Sequence, residues 1–250
     1  MPELVAQVLA FDGLIFLAFG ATLAGVVRGF SGFGTAMVYL PFAGQVVGPF
    51  VALTSLIMMD LVAPLMHVPR AARDGRLSEV FKLVIGVAIA APLGVWVLSI
   101  SHPDVFRWGV SLIALTLLTL LLSGFRYHRS ISNPMIYGTG LLGGFLTGSV
   151  GMPGPPVIFL YMASSYPVQV IRANNMLYLI LADVILFLVF AVTGHLTAFA
   201  LALGVAMIIP YSAGNWIGGR LFNPKYDRIY RAAAYVLIAC SAILGLPIWD

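Results

Sequence analysis

The sequence predicts an all-α polytopic membrane protein made of two inverted repeats, each a glycine-broken helical hairpin followed by three transmembrane helices. Three observations lead to this prediction. Hydrophobic residues make up 61% of the chain and charged residues 9%, whereas a soluble domain carries about 25% charged residues. Two long apolar stretches are interrupted by glycine clusters. Basic residues are concentrated in a few of the short polar connections, which allows the orientation of the two halves to be compared.

The apolar runs define the helices. A helix needs about 20 apolar residues to cross the hydrocarbon core, and the mean hydropathy of the whole chain is +1.02. No soluble domain or long linker is expected between the runs, which fall at 5–28, 34–48, 50–68, 79–100, 104–123, 134–147, 154–166, 168–193, 197–219 and 229–246.

Two of these stretches are too long for one span. Between Phe11 and Gly48 only Asp12 and Arg28 are charged, and the sequence RGFSGFG interrupts the stretch at 28–34. The stretch from 134 to 166 is interrupted in the same way by GSVGMPGPP at 148–156. Each stretch is therefore predicted to enter the membrane, break and return as a hairpin.

The two breaks align with each other, which indicates an internal duplication with halves 1–125 and 126–250. The glycines of the first break recur 119 residues later in the second, as Gly25, Gly29 and Gly32 against Gly144, Gly148 and Gly151. Further along, GVAIAAPLGVW (86–96) resembles GVAMIIPYSAGNW (204–216), with Pro92 opposite Pro210 and Trp96 opposite Trp216.

The charges of the connections predict that the halves are inverted. Cytoplasmic loops are enriched in Lys and Arg, and the basic connections lie at 70–76, 126–129 and 220–231. The connections that the duplication makes equivalent, SHPD at 101–104 and TGHLT at 193–197, have almost no positive charge. A hairpin followed by three spans places equivalent loops on opposite sides. The loops at 70–76 and 220–228 are then cytoplasmic and both termini are periplasmic.

The glycine breaks are predicted to bind a small anion between their two tips near mid-membrane. Irregular backbone at membrane depth is tolerated where protein or a water-filled cavity surrounds it, and the N–H groups of a helix start favour anions. The alternative is that the glycines only let helices pack closely. The residues assigned to the site are Arg28, Ser31, Gly32, Phe33, Gly34 and Thr35 in the first break and Ser149, Gly151, Met152, Pro153 and Gly154 in the second.

Polar residues inside the spans extend this site. Arg172 either balances the charge of the anion or reaches the headgroups from a helix end. Asn174 and Asn175 either donate to the anion or bond across helices. Asp60 and Asp183 either carry a coupling proton or pair with an arginine.

The segments GVVRGFSGFGTAMVYLP and GGFLTGSVGMPGPPVIFLYM resemble the two repeated signatures of the TauE/SafE family of sulfite and organosulfonate transporters. The resemblance covers the whole chain, although Gly34-Thr35 stands where many members have a further glycine. It implies a secondary transporter of the bacterial inner membrane that moves sulfite or an organosulfonate such as sulfoacetate, mostly outward.

Other functional classes are alternatives to a transporter. Gly29 to Gly32 matches the GxSG signature of rhomboid-like intramembrane serine proteases, but such chemistry needs a histidine near Ser31 and none is expected in mid-helix. A non-transporting membrane subunit and a channel are further alternatives. No metal, cofactor or nucleic acid is expected. The expected partners are a small anion, the bilayer, protons as a coupling ion and a second copy in a homodimer.

Overall fold

The computed structural model describes residues 2–31, 33–62, 68–123, 131–162, 164, 166–221 and 227–248. All regular secondary structure in these residues is helical, which confirms the predicted all-α class. The helices are α1 Pro2–Leu9, α2 Leu14–Ser31, α3 Thr35–Val46, α4 Pro49–Val62, α5 Val68–Asp74, α6 Leu77–Ile100, α7 Pro103–Ser123, α8 Asn133–Val150, α9 Gly154–Met162, α10 Val168–Thr193, α11 Ala198–Leu221 and α12 Asp227–Leu244.

Five of these helices are long and apolar enough to cross a membrane, namely α2, α6, α7, α10 and α11. Two shorter apolar segments, Pro49–Leu61 and Ala232–Leu244, lie in α4 and α12. The protein is therefore a multi-pass membrane protein. The predicted run at 5–28 divides into α1 and α2, because a turn at Phe11–Gly13 separates them.

Both predicted breaks are present. Between α2 and α3 the backbone turns at Gly34, whose φ of +97° lies in the left-handed region. Between α8 and α9 it turns at Gly151, with φ of +69°. L side chains are disfavoured in this region, so glycine is required by the backbone at both points. Gly32 lies outside the described residues.

Helix starts recur along the chain at one fixed spacing, while the duplication into halves 1–125 and 126–250 stays a prediction. Helices α2, α3 and α4 begin at residues 14, 35 and 49, and α8, α9 and α10 begin at 133, 154 and 168. Each of the second set begins 119 residues after its counterpart, which is the spacing of the glycine clusters. The inverted orientation of the halves stays a prediction.

The chain folds into two compact units that differ from the sequence halves. Unit 1 comprises Met1–Asp60, His102–Leu118 and Gly194–Asp250, and unit 2 comprises Leu61–Ser101 and Thr119–Thr193. Each unit takes segments from both halves. Unit 1 contains the first break and unit 2 contains the second.

In unit 1, α2 packs directly on α11 through glycine. A Cβ atom added at Gly25 would lie 2.2 Å from the carbonyl oxygen of Tyr211, and one added at Gly29 would lie 2.3 Å from that of Asn215. Such distances leave no room for a side chain, so the two backbones touch. Small residues spaced four apart permit this close approach between membrane helices.

In unit 2, α8 packs on α6 in the same manner. A Cβ atom added at Gly144 would lie 2.6 Å from Cα of Val87, and one added at Gly148 would lie 2.2 Å from the carbonyl oxygen of Ala91. Close helix packing, the alternative to anion binding, is thus what four of the glycines do in the structure: Gly25, Gly29, Gly144 and Gly148.

These contacts also give a register for α6 and α11 that differs from the sequence alignment. Ala91 and Asn215 make equivalent contacts, with Gly148 and Gly29 respectively, and they are 124 residues apart. The alignment of Pro92 with Pro210 uses a spacing of 118 residues. The shared prolines therefore do not occupy equivalent places in the packing.

Candidate functional site

The side chain of Ser31 forms hydrogen bonds with the backbone of the first break. Ser31 Oγ lies 2.6 Å from the carbonyl oxygen of Val27 and 2.8 Å from that of Phe33, and it accepts a bond of 3.3 Å from the Phe33 N–H. A hydroxyl has one proton, so it donates to one of these carbonyls at a time. Ser31, which was predicted to bind the anion, stabilises the turn in this conformation.

Four side chains meet beside this break, all of them in unit 1. Arg28 Nη1 donates to Thr35 Oγ1 over 3.2 Å and lies 3.7 Å from Asp60 Oδ1. The Tyr211 hydroxyl lies 3.3 Å from Thr35 Oγ1 and donates to Asp60 Oδ1 over 3.1 Å. The residues come from α2, α3, α4 and α11 respectively, and together they form a closed ring of polar contacts, called here the Arg28 ring.

The Arg28 ring is largely withdrawn from solvent. Thr35 is 2% exposed and Tyr211 is fully buried, while the Arg28 and Asp60 side chains keep 18% and 15% of their surface. Ions in such surroundings need a partner, because removing one member of a buried pair is strongly destabilising. Of the two roles predicted for Asp60, the structure shows pairing with an arginine.

Tyr211 was not predicted as a site residue. Tyrosine residues in membrane proteins commonly lie at the membrane–water interfaces, where their hydroxyl reaches the headgroups. Tyr211 instead lies near the middle of α11, where its hydroxyl has no headgroup to reach. A tyrosine far from both ends of a predicted span is the signal that would have identified it.

The second break offers fewer donors than predicted. The Gly151 and Met152 N–H groups bond back to the carbonyls of Thr147 and Leu146, at 3.1 and 3.2 Å. The Ser149 hydroxyl donates to the Phe145 carbonyl within α8, at 2.8 Å. Pro155 and Pro156 follow Gly154 in the first turn of α9, and proline has no N–H.

Pro153 accepts a long bond of 3.4 Å from the Tyr178 hydroxyl. Met152 and Pro153 are both buried within unit 2. The predicted residues of the second break are thus mainly engaged in ending α8 and starting α9.

The charged members of the Arg28 ring have no counterpart in unit 2. At the spacing of 119 residues, Arg28, Thr35 and Asp60 correspond to Thr147, Gly154 and Leu179. The hydroxyl of Thr147 donates to the Gly143 carbonyl in its own helix, at 2.7 Å. The two breaks therefore share a backbone design but differ in side-chain chemistry.

A family model described as "Sulfite exporter TauE/SafE" matches residues 17–244 of the 250-residue chain. The chain belongs to the TauE/SafE family. Family membership makes it a membrane transporter of the sulfur-anion exporter type. No curated protein sequence and no solved structure gives a significant match.

For a TauE/SafE protein, the protease alternative loses its support. The hydroxyl of Ser31, the residue that would act as the nucleophile, bonds to backbone groups of Val27 and Phe33. The family match covers both breaks, whereas the GxSG signature covers four residues of one.

The polar residues predicted on α10 of this TauE/SafE protein lie in different surroundings. Arg172, the fifth residue of α10, is exposed, which favours its headgroup interpretation. Asn174 is fully buried; its Oδ1 accepts the Arg76 N–H over 2.7 Å and its Nδ2 donates to the Tyr161 hydroxyl over 2.8 Å. Its amide therefore bonds across helices within unit 2.

Asn175 and Asp183 complete the predicted set. The Oδ1 atom of Asn175 is buried, and the part of the chain that the structure describes gives it no hydrogen-bond partner. Asp183 is 8% exposed in α10 and belongs to unit 2, whereas Asp60 belongs to unit 1.

Proposed function

We propose that this protein is a secondary transporter that moves a small sulfur-containing anion, sulfite or an organosulfonate such as sulfoacetate, outward across the bacterial inner membrane. The observation that carries the proposal is the Arg28 ring beside a broken helix, in a chain of the TauE/SafE family. A half-buried arginine next to irregular backbone is suited to an oxyanion.

The chemistry of the first break fits a sulfonate or sulfite group. A guanidinium presents five N–H donors in a planar fork that matches oxyanion geometry. Thr35 adds a hydroxyl 3.2 Å from Arg28 Nη1. It also begins α3, and the first N–H groups of a helix lack intrahelical partners and carry the positive end of the helix dipole. These three types of donor can together donate hydrogen bonds to the oxygens of one anion.

Arg28 can contact Asp60 and a bound anion together. The distance from its Nη1 atom to Asp60 Oδ1 is 3.7 Å, which is longer than a hydrogen bond. A bound anion with an oxygen at hydrogen-bond distance would attract the guanidinium more strongly.

Other parts of the proposal rest on the sequence. The contribution of the second break, the inverted orientation of the halves and a homodimer all stay predictions. Cytoplasmic placement of the segment 70–76, most of which lies in α5, is compatible with the high exposure of the Arg70 side chain, 87%.

The test is transport by purified protein in proteoliposomes, with sulfite, sulfoacetate, taurine and sulfate offered separately. We expect transport of sulfite or sulfoacetate in preference to sulfate. Ser31→Ala should keep most transport, because it removes one neutral hydrogen bond worth about 0.5–1.5 kcal/mol. A protease would instead be inactivated by Ser31→Ala. Absence of transport of every sulfur anion offered would contradict the proposal.

A further inference from the structure

We propose that anion binding and proton binding are coupled through the Arg28 ring, with Asp60 as the proton acceptor and Tyr211 as the residue that links it to the anion site. The inference rests on the proposed function. It adds a single coupling site, a fixed stoichiometry and a role for a tyrosine that the sequence did not single out.

The first step is charge balance. Without an anion, the ring contains one guanidinium and one carboxylate, 3.7 Å apart, and two neutral hydroxyls. An anion that binds to Arg28 adds at least one negative charge to a site where Thr35 and Tyr211 are almost fully buried. Uncompensated charge in such a site is strongly unfavourable. A proton taken from water by Asp60 restores the balance.

Asp60 is the group that takes the proton for a chemical reason. Sulfonic acids are strong acids, so a sulfonate keeps its charge at neutral pH. Of the two anions that compete for Arg28, the carboxylate is therefore the stronger base and accepts the proton. Among the residues that the structure describes, the titratable groups found in contact with Asp60 are Arg28 from α2 and Tyr211 from α11. Of these, only Arg28 is charged at neutral pH.

The second step is a reversal of hydrogen bonds. With Asp60 ionised, the Tyr211 hydroxyl donates to Asp60 Oδ1 over 3.1 Å, and the Thr35 hydroxyl can donate to Tyr211 across 3.3 Å. Once Asp60 is protonated, its O–H donates to the Tyr211 oxygen and the Tyr211 O–H donates to Thr35. The Thr35 hydroxyl is then available to donate to the anion.

Because of this reversal, the anion and the proton each strengthen the binding of the other. A proton on Asp60 removes the negative charge with which this side chain competes with the anion for Arg28, and it turns the Thr35 hydroxyl towards the anion. Reciprocity requires that the anion promote protonation by the same factor. Because the counterparts of Arg28 and Asp60 in unit 2 are Thr147 and Leu179, the ring predicts one proton for each anion.

The experiment is calorimetry of sulfoacetate binding at neutral pH, in two buffers with different heats of ionisation. Both acid groups of sulfoacetate are ionised there, so the ligand itself contributes no proton. The difference in heat gives the number of protons taken up. We expect about one proton per anion in the wild-type protein, since binding shifts one titratable group.

Three variants test which carboxyl group takes up the proton. Asp60→Asn should bind sulfoacetate without proton uptake, Asp60→Glu should keep uptake because it retains a carboxyl, and Asp183→Asn should keep uptake. Uptake that persists in Asp60→Asn, or that is lost in Asp183→Asn, would overturn the inference. Thermal unfolding of each variant shows whether it is folded, and Asp60→Glu serves as the test if Asp60→Asn is not.

Tyr211→Phe tests the linking role. It should weaken sulfoacetate binding roughly two- to tenfold at acidic pH, where the reversed chain donates to the anion, and have less effect at alkaline pH. A loss that is equal at all pH values would mean that Tyr211 only packs. Wild-type protein that binds no sulfur anion would contradict the proposed function, whereas binding without proton uptake would contradict the coupling alone.

Discussion

Replacing Gly148 by alanine should loosen unit 2, and Gly138 provides a matched control on the same helix. The added Cβ at Gly148 would lie 2.2 Å from the Ala91 carbonyl oxygen of α6, whereas a Cβ at Gly138 would meet nothing within 4 Å. Both positions are in α8, so the intrinsic preference of alanine over glycine in a helix applies to both.

The expected magnitude follows from the displacement required. Real Cβ atoms essentially never approach a neighbour closer than 3.0 Å, so the backbones of α8 and α6 must separate from a contact at 2.2 Å to at least that distance. Forcing extra atoms into a packed interface costs about 1–3 kcal/mol. For a chain of this size each kcal/mol lowers the melting temperature by roughly 2–4 °C, so Gly148→Ala should lower it by roughly 2–12 °C.

The measurement is thermal unfolding of the purified variants in one detergent. Gly138→Ala should unfold at or slightly above the wild-type temperature. Gly148→Ala as stable as Gly138→Ala would refute the direct contact between α8 and α6 backbones. Cysteine cross-linking between the two helices offers a check, because a wider spacing should lower its yield.

Three further predictions concern topology, the second break and the α10 amide. Cysteines introduced at Arg73 and at Lys225, which lies outside the described residues, should both resist a membrane-impermeant thiol reagent in intact cells once Cys240 is replaced; labelling of only one would overturn the inverted repeat. Gly151→Val should remove anion binding while the protein still inserts, because φ of +69° is unfavourable for a β-branched residue; unchanged affinity, measured by calorimetry, would exclude a role for the second break. Asn174→Ala should destabilise the protein by about 1–3 kcal/mol, since it removes the acceptor of the Arg76 N–H and one hydrogen bond of the buried Tyr161 hydroxyl; unfolding at the wild-type temperature would show that these bonds are dispensable.

The helices and their breaks were predictable because their causes are local. Uninterrupted apolar residues specify a span, and an overlong span with clustered glycines specifies a break. The sequence did not distinguish two kinds of glycine. Gly29 and Gly148 contact neighbouring backbones, whereas Gly34 and Gly151 have positive φ; contact and dihedral angle both depend on tertiary structure.

The Arg28 ring was only partly predictable, since its members are far apart in the chain. Arg28, Thr35 and Asp60 were each identified as polar residues within apolar segments. Tyr211, the partner of Thr35 and Asp60, is 176 residues from Thr35 and 151 from Asp60. The packing of α11 on α2 brings it to them, and the register of that packing differs from the one that the proline alignment suggests.

One double variant tests whether the first break binds the anion through Arg28. The double variant Arg28→Gln with Asp60→Asn removes both charges together, so that neither ion of the pair is left without its partner. Calorimetry with sulfoacetate should show binding at least tenfold weaker than in the wild type, since a hydrogen bond to a charged group contributes about 1.5–3 kcal/mol. Arg70→Gln, which changes an arginine whose side chain is 87% exposed, should leave the affinity unchanged. Wild-type affinity in a folded double variant would contradict anion binding through Arg28.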